Sequence, residues 1–454
     1  TVKKTWGSRT YPVEYTYDAQ GRVKTLKTWQ DFNESSGSGN AGSATTTWSY
    51  SATRGWMTGK LYEGQTSGPV YDYWPSGRLK QRTWTTPRSI TTNYTYTAAG
   101  DLLGVNYSDT TPDVSYVYDR RGRVTQVTDA VGMRTFTLNE FGQMTEEDFG
   151  TGILDPVNIT NHHDSLVRRD WIKMKIAGTL KHEVDFGYET DSSRLKSVRK
   201  DDYSGVQFIG EYSYVPHAGT IQSLAIKKDP GGGPTGLITG VREYDNLDRL
   251  KSITWTPQGS STPELKYAYA YNDANQRSAM TLADSSHWDY GYDAMGQVTS
   301  AKKGWVNPNP PPPSVPVAGQ QFEFTYDDIG NRLTASAGGD SSGANLRQVT
   351  YSPNLLNQYT QRGVSSGVDI MGYAPANDTV TVNGNAAYRF AEYFQQLLSW
   401  ANNTAAQYQT VSILLNGNAW QTGTVFIPKT PEQFLYDADG NLVSDGRWEY
   451  TWDG

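Results

Sequence analysis

Five histidines, at positions 162, 163, 182, 217 and 287, and a few adjacent acid pairs are the side chains of this 454-residue chain best suited to chemistry. A metal centre needs several imidazole, thiolate or carboxylate ligands to converge on one point. His162 and His163 fall on opposite faces of any strand that carries them, so one ion cannot easily use both. His182-Glu183 lacks the second histidine four positions on that a helical zinc-hydrolase motif requires. The acid pairs Glu146-Glu147, Asp201-Asp202 and Asp327-Asp328 raise glycoside hydrolysis, in which two carboxylates flank the scissile bond. Sequence neighbours on a strand diverge, however, and solvated turn charges are the expected reading. Gly37-x-Gly39-x-x-Gly42 has the form of a dinucleotide fingerprint but sits in a Gly/Ser-rich stretch with no helix after it. The chain contains no cysteine. The expectation is a chain without catalytic residues, metal or cofactor of its own.

The residues that recur are of another kind. Tyr15-Thr-Tyr17-Asp18-Ala-Gln-Gly21-Arg22 returns as Tyr116-Val-Tyr118-Asp119-Arg-Arg-Gly122-Arg123 and as Tyr290-Gly-Tyr292-Asp293-Ala-Met-Gly296-Gln297. Further copies are Phe324-Thr-Tyr326-Asp327-Asp-Ile-Gly330-Asn331-Arg332 and Phe434-Leu-Tyr436-Asp437-Ala-Asp-Gly440-Asn441. Aromatic residues two apart project to one face of a strand. Asp favours the first position of a tight turn and Gly the fourth, so the unit predicts a β-hairpin. From Tyr50 through Tyr73, Tyr96 and Tyr118 to Leu138 the steps are 23, 23, 22 and 20 residues. That length fits two strands, a turn and a return loop. A unit repeated along most of the chain predicts one continuous array. The repeated Asp and Arg are expected to pair across neighbouring turns.

The motif Tyr-Asp-x-x-Gly-Arg-apolar, nearly intact at 17–23 and 118–124, resembles that of the Rhs/YD-repeat family. That family includes bacterial polymorphic-toxin shells and is related to teneurins and to insecticidal toxin-complex shell subunits. The resemblance implies an all-β fold, a hairpin array wound into a spiralling, hollow shell. It implies a shell without catalysis of its own, enclosing a C-terminal toxin polypeptide, in a secreted or surface-exposed bacterial protein. Family members with cargo carry an aspartate-based self-cleavage motif at the end of the shell. Asp155-Pro156 and Asp229-Pro230 lie far upstream without its context, so that motif is expected only beyond Gly454. The chain starts at Thr1 within a hairpin-like segment and reads as a piece of a longer polypeptide.

Composition agrees with a thin, two-faced sheet. Only 36% of residues are hydrophobic, yet 31 Tyr, 14 Trp and 12 Phe make disorder untenable. A net charge of −7 without a basic stripe argues against nucleic acid as a partner. No run approaches the roughly 18–20 apolar residues of a membrane-spanning helix.

Several stretches interrupt the rhythm. Residues 33–46 and 229–236 are Gly-rich and expected as loops, and the proline run at 306–318 as a stiff polyproline excursion. No repeat motif occurs between Tyr359 and Phe434. The expected organisation is a repeat array over 1–360, an inserted module of about five strands over 361–430, and resumed repeats over 431–454. Within the module, Thr379-Val-Thr-Val-Asn383-Gly384 predicts a strand entering a hairpin turn. Residues 386–400 read as two strands in preference to a helix. Trp400 and Trp420 are candidate ligand-facing aromatics there. They carry a second functional reading, an adhesion protein that binds glycans or a cell-surface receptor.

Overall fold

Alternating aromatic strands joined by Asp-initiated turns leave each strand only its sequence neighbours to pair with, and the chain folds accordingly. The computed structural model describes residues 4–6, 9–11, 13–33, 38–201, 207–306 and 314–452. All regular elements among them are strands, with no helix. Twenty-nine strands form one antiparallel sheet that begins at Val13–Tyr17. Each strand pairs with the next through Tyr359–Arg362, which then takes Glu432–Gln433 as its last neighbour. The hairpins carry the same irregularity beside the turn: Tyr17 pairs with Val23, Tyr118 with Val124 and Tyr292 with Val298, each after a one-residue register shift. Such a bulge strengthens the local twist, and repetition along the ladder curls the sheet into a barrel-like wall.

The wall has little interior of its own. The chain exposes 25789 Å², whereas a compact monomer of this mass exposes about 17,000 Å². Buried apolar side chains along the wall are scattered singly, as at Trp29, Val105, Phe149 and Ile209. A contiguous core lies instead between Tyr359–Arg362 and Glu432–Gln433, where Ala374, Val380, Val382, Phe394, Leu398 and Val411 pack together.

Seven strands surround that core, more than the sequence suggests, because Gly367–Tyr373 and the short Asn385–Ala386 are strands as well. They form two small sheets. Gly367–Tyr373, Tyr393–Ser399 and Tyr388–Phe390 make the first. Asn385–Ala386, Val380–Val382, Gln407–Leu415 and Asn418–Ile427 make the second. Asn383-Gly384 and Asn416-Gly417 turn the second sheet's hairpins, with φ positive at all four residues, as a primed turn demands. The core rests against the wall through Tyr393, whose hydroxyl donates to the Ala318 carbonyl at 2.7 Å, and through Trp305, which stacks on Phe390.

The first Gly-rich stretch is not a loop throughout. Residues 38–46 continue the strand Ser38–Tyr50, and Thr45, Thr46 and Thr47 pair with Lys27, Leu26 and Thr25. Three consecutive β-branched residues opposite an established strand outweigh the flexibility of the preceding glycines. The Gly37 end of the fingerprint, Asp202 of one acid pair and residues 307–313 of the proline run lie outside the described residues.

Candidate functional site: the turn ladder, the clasp and the inserted strands

Each repeat turn is organised by its aspartate. Asp119 Oδ1 accepts the backbone N–H groups of Arg121 at 2.8 Å and Arg123 at 3.0 Å, and Oδ2 accepts Arg123 Nε at 2.6 Å. Asp18, Asp164 and Asp245 repeat the arrangement with Arg22, Arg168 and Arg249. The Asp–Arg pair therefore closes within one turn, four residues apart, and not across neighbouring turns as the sequence suggests. The reason is geometric: the bulge at the fourth position brings residue i+4 back beside the first. Gly122 meets that bulge with φ +75, and Val167, in the same place of its turn, is forced to φ +68. Hydrogen bonds from the Arg123 backbone and side chain hold the Asp119 carboxyl below the usual carboxylate range, and Arg168 does the same for Asp164.

Where arginine is absent the geometry persists with neutral partners. Asn139, Asn272 and Asn354 each donate Nδ2 to the side-chain oxygen of Gln143, Gln276 and Gln358 at 2.8–2.9 Å. Asp293 receives the N–H groups of Met295 and Gln297, ahead of Gly296 closing its turn. Asp327 and Asp437 take Asn331 and Asn441 in the arginine's place. Gly330 and Gly440 close those two turns. Arg332 therefore falls one position past that place, and its guanidinium lies over the Phe324 ring at 4.7 Å.

The tyrosine before each aspartate links one unit to the unit before it. The Tyr118 hydroxyl donates to the Leu102 carbonyl at 2.6 Å, Tyr292 to Arg277 at 2.7 Å and Tyr326 to Val298 at 2.9 Å. Tyr50, Tyr96, Tyr188, Tyr214, Tyr244 and Tyr271 do likewise. Arginine adds a second link: Arg22 lies 4.4 Å over the Tyr50 ring, and Arg123 Nη1 donates to the Asn139 carbonyl of the following turn. Tyr15 and Tyr17 share a face, with ring centroids 6.5 Å apart. Tyr116 and Tyr290 sit half-buried three places before the aspartate, and Tyr436 pairs with Leu442 in the last hairpin. These residues build the wall.

A second set, which no repeat motif announces, joins the beginning of the wall to its end. Gln30 Nε2 donates to the Asn354 carbonyl. Gln65 Nε2 reaches the Ala438 carbonyl at 2.9 Å, and the Thr85 N–H reaches Asp439 Oδ1 at 3.3 Å. Arg88 donates to the Trp452 carbonyl at 3.0 Å and stands 4.0 Å from Asp437. Asp328, expected as a solvated turn charge, accepts the Phe32 N–H. The turns at 354–358 and 437–440 thus lie over strands near residues 26–65, forming a pocket with Leu26, Ala44, Tyr62 and Leu355 in its lining. Because the partners are hundreds of residues apart, only the curvature of the sheet could have revealed them.

The remaining candidates separate. Trp400 packs against the apolar core between the inserted strands, whereas Trp420 is half-exposed and meets Phe394 edge to face at 6.4 Å. His162 stacks on Trp171 and contacts Asp170 at 2.6 Å. Among the described residues, no three His, Cys, Asp or Glu side chains converge in a way that could hold a metal ion.

A model of the RHS repeat matches residues 118–152, the hairpins that contain the Asp119 and Asn139 turns. No curated protein matches the sequence. Among solved structures, the chain is similar to TcdB2-TccC3-TEV, at 12% identity over 96% of this chain and 27% of that one, with a TM-score of 0.37. It is likewise similar to the Photorhabdus luminescens Tc holotoxin pore, at 11% identity over 96% and 27%, with a TM-score of 0.37. The chain spans about a quarter of the length of those structures. The Asp-turn and tyrosine link of the matched segment recur along one antiparallel sheet, so the chain is similar to Rhs/YD-repeat proteins well beyond residues 118–152.

Proposed function

We propose that the chain is the wall of a non-catalytic shell that encloses polypeptide cargo, a C-terminal toxin domain of a secreted or surface protein. The observation that carries this reading is the clasp: Arg88, Thr85 and Gln65 hold the first hairpins to the last turns. A sheet held end to end while exposing about half again the area of a compact protein is suited to surround something and poorly suited to be a solid body. Its function on this account is containment, with the laterally satisfied hydrogen bonds of the ladder serving as a barrier. In this reading residues 1–360 and 431–454 are wall, and 361–430 fold as an inserted module with a core of their own.

The test is protection. A protease-sensitive passenger fused after residue 454 should survive trypsin longer than the same passenger alone, and Arg88→Ala with Asp439→Ala should shorten its lifetime. Equal cleavage in all three would contradict containment. The adhesion reading has no comparable support, since Trp400 is committed to packing.

A further inference from the structure

The two small sheets beside the wall leave one side of their core open. Gly367–Tyr373 ends the first sheet and Asn418–Ile427 ends the second, and each pairs on one edge only among the described residues. Between them runs a groove with Ile370, Tyr373, Phe394, Val411, Ile413 and Trp420 in its lining. Val411 and Ile413 face the core, so Gly423 and Gln421, their partners across the ladder, face it too. Yet both are exposed, and a Cβ placed on Gly423 would meet no atom within 4 Å. A core-facing position with nothing opposite it marks a slot that this chain does not fill.

The edge beside that slot is unprotected. Asn418-Ala-Trp-Gln-Thr-Gly-Thr-Val-Phe-Ile427 contains no charged residue and no proline, the two devices that usually prevent an edge strand from pairing. Eight of its ten residues are exposed, including Trp420 and Phe426. We propose that this edge accepts an extended, uncharged polypeptide strand, which continues the second sheet and places alternate apolar side chains in the slot over Val411 and Phe394. Three observations select that occupant. The free N–H and C=O groups of an edge require an extended backbone. The groove lining contains no charged side chain, so a charged peptide would lose solvation without a partner. The added strand continues a ladder that Gln407–Leu415 and Asn418–Ile427 already form. Residues 420–425 span roughly 20 Å, room for about six extended residues. This inference stands whether or not the wall encloses cargo.

The probe is a capped peptide of about six alternating valine and threonine residues, titrated into the whole chain and followed by amide hydrogen exchange and tryptophan fluorescence. Saturable binding should slow exchange across 418–427. Gly423→Trp, which fills the slot, should weaken binding by about ten-fold or more. Thr424→Lys, at an exposed edge position, should weaken it too, with both variants unfolding at the parent temperature. A central proline in the peptide should abolish binding, because it removes a ladder donor. Unchanged exchange at saturating peptide, equal binding of the proline peptide, or quenching by oligosaccharides alone would overturn the proposal. So would a self-associated dimer through this edge that leaves no peptide binding.

Discussion

Arg88, near the start of the sheet, donates to the main-chain carbonyl of Trp452, 364 positions later. The same guanidinium stands 4.0 Å from Asp437 and 4.4 Å over the Trp84 ring. Both ion-pair partners are largely shielded, with side-chain exposures of 12% and 20%. A charge-assisted contact of this kind contributes about 1.5–3 kcal/mol. Arg88→Ala should therefore lower the urea midpoint and speed hydrogen exchange both around residues 84–90 and around 437–452. Faster exchange at only one of the two segments would show that they are not coupled.

The turns predict a compensated swap. Asp119→Asn alone leaves Arg123 without its carboxylate and should lower the urea midpoint. Adding Arg123→Gln recreates the Asn–Gln pair seen at Asn139–Gln143 and should recover most of the loss. A double-mutant cycle in urea measures the coupling. Purely additive losses would mean that the neutral turns draw their stability from elsewhere.

Acid should loosen a turn within a defined window. Hydrogen bonds from the Ser342 side chain and backbone, and from Asn345, hold the Asp340 carboxyl down at about 2. A depressed folded pKa contributes stability that is complete above the unfolded value of about 4. That contribution is lost as pH falls from about 4 through about 2. Asp340 carboxyl chemical shifts should titrate near pH 2, and Ser342→Ala should move the midpoint upward. An unchanged midpoint in Ser342→Ala would remove the cause assigned here.

Val167 offers a gain of stability. It is β-branched, 44% exposed, and held at φ +68 in the position that Gly122 occupies in its own turn. A left-handed conformation costs an L-residue about 1–2 kcal/mol. Val167→Gly should raise the melting temperature, at little loss of packing. A lower melting temperature would mean that the side chain makes contacts worth more than the strain.

How much of this could be read from the sequence depends on the distance between partners. The hairpin turn is legible because the bonds that organise Asp119 end within four residues of it. The Tyr118–Leu102 link is half legible: the tyrosine recurs visibly, but its acceptor is a carbonyl, which any residue supplies. The clasp is not legible at all, since Gln30, Gln65 and Arg88 belong to no motif and find their partners only after the sheet has curved. Asp327 and Asp328 show the limit in a single pair. The first holds its own turn together, whereas the second caps the Phe32 N–H from a distant strand. Trp400 and Trp420 are alike in sequence, and only the packing around Phe394 and Leu398 separates a core residue from a groove residue.

The curled wall itself is tested most directly by joining its two ends. The chain has no cysteine, so Gln65→Cys and Ala438→Cys introduce the only thiols. With a short bifunctional maleimide at low protein concentration, the account predicts one cross-linked monomer in high yield. Reversing Arg88 to Glu should reduce that yield. Ready labelling of each single cysteine, together with no intramolecular cross-link in the pair, would show that the ends do not meet and would contradict the account.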